Sequence, residues 1–180
     1  MLRRRLITLA GTGLMAPRVL PAQTAWPDRA VRVIIPFPPG GSTDTIARIF
    51  QAPLSEALGR QVVIDNRGGG SGSIGAIEAA RAAPDGHTWM LAYDNEATNQ
   101  TVMRLPYRAM EAFAPVSLVA TGPLCMVAHQ TTPYRSFGDV VAAAKAAPET
   151  IPFATSGVGG LAHVSTTLLQ QQGGFKLVHV

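Results

Sequence analysis

The sequence predicts an α/β fold built as two lobes, and three observations carry that expectation. β-branched runs such as Val31-Arg32-Val33-Ile34-Ile35 and Gln61-Val62-Val63-Ile64 alternate with helical patterns, which argues for a parallel sheet covered by helices. A strand leading through a glycine-rich loop into a helix occurs twice, at residues 36–44 and again at 155–160. Between the two copies, Thr121-Gly122-Pro123 separates two extended runs and marks a crossing point between lobes. The expected division is 1–22 as a signal peptide, 23–122 as the first α/β lobe and 123–180 as belonging to the second.

The first strand runs into Pro36-Phe37-Pro38-Pro39-Gly40-Gly41-Ser42-Thr43-Asp44. Prolines preset φ and remove donors, paired glycines let backbone approach a ligand, and Ser, Thr and Asp cap helices. A helix N-terminus presented at the end of a strand is a natural anion site. The helix, beginning near Thr45, carries Ile46, Ile49, Phe50, Leu54 and Leu58 mostly on one face and stops at Gly59. Pro53 lies inside it and predicts a bend near Phe50. A second strand is expected over 61–66, a short alanine-rich helix over 73–83 stopped by Pro84-Asp85-Gly86, and a third strand over 88–92 entering a polar loop, 93–99. Extended runs follow at 116–120 and 124–129. A helix over 139–146, a strand at 151–154, the loop 155–160 and a helix over 163–171 complete the reading.

Charge and leader go together. Arg3, Arg4 and Arg5 precede an apolar stretch over 6–16 with Ala22 beyond it, the layout of a signal peptide. That stretch is shorter than the ~20 apolar residues a membrane span needs. Cleavage after Ala22 is expected, with Ala25 as second choice, and the ordinary secretory route is favoured over the twin-arginine one. The chain has 15 Lys and Arg against 11 Asp and Glu, and four of the arginines fall in the first 22 residues, so the mature part is near neutral. The high pI therefore gives no support for a nucleic-acid surface, and no nucleic-acid partner is expected. Cys125, the single cysteine, lies in the apolar run Pro123-Leu124-Cys125-Met126-Val127-Ala128 and is expected to be a buried, inert thiol.

Four ordered blocks carry a family resemblance. They are Pro36 through Asp44 as quoted above; Val63-Ile64-Asp65-Asn66-Arg67 with the glycines after it; Ala83-Pro84-Asp85-Gly86-His87-Thr88; and Phe153-Ala154-Thr155-Ser156-Gly157 followed by His163. With Trp26-Pro27-Asp28-Arg29 ahead of them, the chain resembles the Bug-type periplasmic solute-binding proteins, receptors of tripartite tricarboxylate transport systems. The resemblance implies a type II periplasmic-binding-protein fold whose two lobes close on a small carboxylate. Implied with it are a periplasmic location, membrane transporter subunits as partners, a monomer when full length, no cofactor and no enzymatic chemistry. Family members are much longer, so the second lobe is expected to be incomplete. Gly160 stands where the family usually presents a serine, and residues 93–99 match its binding loop after the third strand only loosely.

The expected ligand contacts are Phe37, Pro39, Gly40, Gly41, Ser42, Thr43 and Asp44 from the first loop and Thr155, Ser156 and Gly157 from the second, with His163 added by the resemblance. Asp44 is acidic and is assigned a capping role. A helix-terminal anion contact contributes ~0.3–2 kcal/mol and a charged hydrogen bond ~1.5–3, whereas micromolar binding needs ~8.2. One loop is too weak alone, and two facing loops are required. A bulky residue at Gly41 is expected to abolish carboxylate binding.

A competing motif is Gly70-Ser71-Gly72-Ser73-Ile74-Gly75, a literal G-x-G-x-x-G after the second strand with Asp94 about 20 residues on, which in form suits an exported NAD(P)-dependent oxidoreductase. Against it, Asn66-Arg67-Gly68-Gly69 lengthens the turn beyond the tight one required. The histidines 87, 129, 163 and 179 show no i, i+4 pair, so no metal is expected. Ser156 lacks a G-x-S-x-G elbow, and Arg67 is either a solvated loop residue or a cation steering anions.

Overall fold

The computed structural model describes residues 25–180; the expected signal peptide, 1–22, lies outside the described residues. Strand β1 (Val31–Ile35) pairs in parallel with β2 (Val62–Asn66) on one side and β3 (Thr88–Met90) on the other, giving the order β2-β1-β3. Central β1 is the most apolar segment because helices cover it on both faces, and Val31, Val33, Ile34 and Ile35 are all essentially inaccessible. Fully burying one such side chain contributes ~1.5–3 kcal/mol. Helix α1 (Ser42–Leu58) joins β1 to β2 and packs Ala47, Phe50, Leu54 and Leu58 against β1 and β2. It ends where Gly59 turns left-handed, φ 62°. Pro53 leaves it a single helix. Ile49, placed on the apolar face by periodicity, is 73% exposed.

Helix α2 (Ser73–Ala80) follows β2 and stops three residues short of the expected end. The polar segment after β3 departs most from expectation. It is helix α3 (Asn95–Val102), with Asn95 and Asn99 turned inward and buried. Side chains that disfavour helices in isolation are held here by tertiary hydrogen bonds, so local propensity misses the element. A short α4 (Ala109–Ala112) follows.

The runs at 116–120 and 124–129 join no ladder among the described residues, and Val116, Leu118 and Val127 are 80% or more exposed. Cys125 is exposed with them, contrary to the expected buried thiol. An apolar run makes a buried strand only when partner backbone lies beside it.

Beyond residue 131 a second core forms. Helix α5 (Phe137–Ala146) opens with a capping box, the Ser136 hydroxyl accepting from Asp139 N and the Asp139 carboxylate from Ser136 N. Strand β4 (Pro152–Phe153), helix α6 (Leu161–Gly173) and β5 (Val178–His179) complete it, with β4 and β5 parallel. Ala144, Phe175 and Leu177 are its buried centre, flanked by Val140, Val141, Ile151 and Phe153.

Candidate functional site

In the order β2-β1-β3, the chain leaves β1 for a neighbour on one side and later returns on the other. Crevices form at such switch points, beyond the carboxyl ends of the strands. Three connections reach that end here: residues 36–41 after β1, 67–72 after β2 and 91–94 after β3. The loop 155–160 meets them from the second core. Phe37, Ser71, Asn95, Ser156, Gly157 and Gly160 line a narrow crevice between them, too tight to hold a water molecule as it stands. All six lining residues are uncharged, so polar recognition there falls to hydroxyl, amide and backbone groups.

Of the expected contacts, the structure brings Phe37, Ser156 and Gly157 to this pocket. Pro39, Gly40, Gly41, Ser42, Thr43 and Asp44 form the start of α1 beside it and are not part of its lining. Gly41, the residue preceding α1, has φ −73°, and a Cβ there would meet only the Pro38 carbonyl at 3.7 Å. The backbone demand for glycine therefore falls on Gly40, φ 86°, while Gly41 has room for a Cβ within the protein itself. The start of α1 has no side-chain cap, contrary to the capping role expected of Asp44, which instead ties the preceding loop to the first turn. Asp44 Oδ2 accepts from Arg48 Nε and Gly40 N, both at 2.9 Å, and these bonds hold the carboxyl down at about 2.

The second loop is braced from below. Thr155 Oγ1 lies 2.8 Å from His179 Nε2, donates to the Gly157 carbonyl at 3.1 Å and accepts from Gly157 N at 3.3 Å. His163 Nδ1 accepts from Gly159 N at 3.1 Å, with its ring 4.3 Å from that of His179. Thr155 and His163 thus shape the loop, and Ser156 and Gly157 face the pocket. Burial first, and His179 second, lower the His163 pKa below its usual 6.5, consistent with a neutral ring accepting from Gly159. A base depressed in the folded state takes its proton first in the unfolded chain, so stability is lost as pH falls from 6.5 through the lower folded value. Thermal melts between pH 8 and 5 should show this loss in the wild type and a shallower one in His163→Asn, which keeps an acceptor near the Nδ1 position. Superimposable slopes for the two proteins would count against the bond.

The third loop went unrecognised as a cleft wall. Ser71 is left-handed, φ 52° and ψ 38°, and its carbonyl accepts from the side-chain amides of Asn95 and Asn99, the latter at 3.0 Å. An Asn pair at i and i+4 directly after β3 was the available signal. The glycines of the dinucleotide-like motif serve this packing. A Cβ at Gly72 would lie 2.8 Å from Asn95 Nδ2, and one at Gly75 would lie 2.9 Å from Pro36 Cα and 2.8 Å from the Arg67 carbonyl. The Gly72 and Ile74 N–H groups turn back to the Gly69 carbonyl, which occupies donors a pyrophosphate would need. Arg67 is paired with Asp65 at 3.1 Å and Glu78 at 3.5 Å, in a cluster that Arg32 shares, so it is tied down at the sheet.

Residues 46–180 match the family described as tripartite tricarboxylate transporter family receptor. Protein BugT of Bordetella pertussis is 37% identical over 171 residues, covering 93% of this chain and 52% of its own. Among solved structures, the periplasmic binding protein BugD matches with TM-score 0.72 and 29% identity over 86% of this chain and 52% of its own. MatC from Rhodopseudomonas palustris with bound malate matches with TM-score 0.74 and 29% identity, over 86% and 53%. The chain thus spans about half the length of these relatives. Nothing in these matches supports the oxidoreductase alternative. The extent of the family match, together with an α/β fold shared with periplasmic binding proteins, means that the chain belongs to the tripartite tricarboxylate transporter receptor family.

Proposed function

We propose that the chain is the ligand-capturing part of a periplasmic receptor that takes up a small carboxylate and presents it to membrane transporter subunits, without performing chemistry on it. The observation that carries this reading is the meeting of two loop systems along one narrow uncharged crevice, with the N-terminus of α6 behind Gly160 on one wall; the ligand would enter as the loops part. A carboxylate at that terminus is stabilised by unpaired N–H groups and the helix dipole. The lobes are taken as 23–122 and 123–180, closing about the segment between them as a hinge. Phe37, Ser156 and Gly157 are the proposed direct contacts, the α1 start from Gly40 to Thr43 a flanking wall, and Asp44, Thr155 and His163 the residues that hold the loops in shape. Malate bound to MatC and the periplasmic assignment of BugD support the ligand class and the compartment.

Thermal-shift measurements with mono-, di- and tricarboxylates beside NAD and NADP test the reading. A cooperative melt raised by a carboxylate and by neither dinucleotide is the expected result. A melt raised only by a dinucleotide, or by nothing in the panel, would overturn it.

A further inference from the structure

Two histidine rings lie against each other beneath the 155–160 loop, His163 in the first turn of α6 and His179 in β5, with centroids 4.3 Å apart and planes tilted by 31°. Each is tied to the loop by one nitrogen. His163 Nδ1 accepts from Gly159 N, so that nitrogen carries no proton while the bond stands. The Thr155 hydroxyl already donates to the Gly157 carbonyl, which makes His179 Nε2 the donor in its 2.8 Å bond with Thr155 Oγ1. The two rings are therefore unequal. A proton on His179 Nδ1 breaks no bond among the described residues, whereas a proton on His163 Nδ1 turns N–H against N–H and breaks the bond to Gly159.

Nothing around the pair neutralises an imidazolium. Thr155, Gly157 and Gly159 face it from the loop, the Phe153 ring of β4 lies 5.0 Å from that of His179, and Thr167 of α6 donates to the His163 carbonyl. Among the described residues no carboxylate pairs with either ring; the histidine ion pairs there are those of His87 with Asp28 and Asp85. Two charges at this ring separation would repel unscreened by any partner. The lowered pKa of His163, from burial first and His179 second, agrees with that geometry. Gly157 and Gly159 are also where the loop seats on the first lobe. A Cβ at Gly159 would fall 2.5 Å from Val102 Cγ2 of α3, and one at Gly157 2.5 Å from Ser71 Oγ. A change in the shape of this loop is therefore felt at the contact between the lobes.

Resting on the carboxylate-receptor reading, we propose that His163 and His179 form a proton switch: with His163 neutral the 155–160 loop is set against the first lobe and the ligand is held, and a proton on His163 Nδ1 frees the loop, parts the lobes and releases the ligand. His179 sets the threshold, since a charge on its ring holds the proton off His163. The sign follows from linkage. A ring with an ordinary pKa of ~6.5 when the loop is free, and required to be neutral when the loop is set, favours the set form fully above that pH and ceases to favour it as pH falls below.

The test follows the Gly159 amide signal by NMR in the unliganded full chain from pH 8 to pH 5, for wild type, His163→Asn and His179→Gln, alongside calorimetric titration with malate, adipate and citrate at pH 7 and pH 5. In wild type the Gly159 signal is expected to titrate with a midpoint below 6.5. His163→Asn keeps an acceptor but takes no proton, and its signal is expected to stay flat. His179→Gln keeps a donor to Thr155 and removes the neighbouring charge, so its midpoint is expected to move upward. Carboxylate affinity, read as the ratio of wild type to His163→Asn at the same pH so that the ligand's own ionisation cancels, is expected to fall ~10-fold from pH 7 to pH 5. A purely structural pair would give a flat Gly159 signal in wild type or an unmoved midpoint in His179→Gln, and either result overturns the switch. A titrating loop with a constant affinity ratio overturns the release role and leaves the receptor reading standing. No binding of any of the three acids at either pH removes both.

Discussion

Gly157→Ala weakens carboxylate binding by ~10–100-fold, and Ser71→Gly in the same chain recovers the share that comes from the side-chain clash, leaving the backbone strain of a Cβ at φ 151°. The expectation rests on one point of contact between the two loop systems. Gly157 has φ 151°, and an added Cβ would collide with Ser71 Oγ at 2.5 Å and Ser71 Cβ at 3.1 Å. The serine side chain is short and its backbone is held by Asn95 and Asn99, so it has little room to retreat. Overpacking strain of this kind costs ~1–3 kcal/mol. If the strain is confined to the arrangement in which the loops face each other, it is drawn from ligand affinity, at a factor of ten per ~1.4 kcal/mol. The unliganded chain should melt within a few degrees of wild type, because neither loop belongs to the two cores. A double-mutant cycle isolates the coupling. A Gly157→Ala loss of the same size with Ser71 and with glycine at position 71 would place the cause in the 155–160 backbone and remove the proposed loop contact.

How much of this was legible beforehand depended on what each residue's neighbours were. Strands β1 and β2 were read to within a residue because their apolar content is intrinsic to the segment, and a run such as Val31-Arg32-Val33-Ile34-Ile35 can be little else. The two glycine loops were legible for the same reason, since the need for a turn is written locally. Helix α3 was not, because its polar face is satisfied by a carbonyl 24 and 28 residues earlier in the chain. Cys125 was misjudged on similar grounds, as burial of an apolar run depends on partners its sequence does not name. Of the residues lining the crevice, Phe37, Ser156 and Gly157 were among the expected contacts and Ser71 and Asn95 were not. The G-x-G-x-x-G pattern drew attention to the glycines, whereas the informative position was the one residue in that loop carrying a side chain under strain.

The hold that the α3 asparagines have on Ser71 makes Asn99 a sensitive position outside the strands. Asn99→Asp keeps the size and exchanges a donating amide for a carboxyl group, at a site with no exposed surface and 3.0 Å from the Ser71 carbonyl. An ionised carboxylate there faces a carbonyl oxygen with no donor supplied, and removing one partner of a buried polar pair in this way costs several kcal/mol. The protonated acid can still donate its O–H to Ser71, so the neutral form is tolerated. Burial therefore raises the folded pKa above the unfolded ~3.9, and the sign follows. The folded state holds its proton over a range in which the unfolded state has lost it, so stability falls as pH rises through that range, by about 1.4 kcal/mol per pH unit until the folded pKa is reached. The variant should match wild type in urea melts near pH 4 and fall progressively behind it towards pH 7. Ligand binding, measured where both proteins remain folded, should weaken in the same direction as Ser71 loses its hold. A constant stability difference across that pH range would mean that the position 99 side chain reaches water, and with it the case for a rigidly held Ser71 would fail.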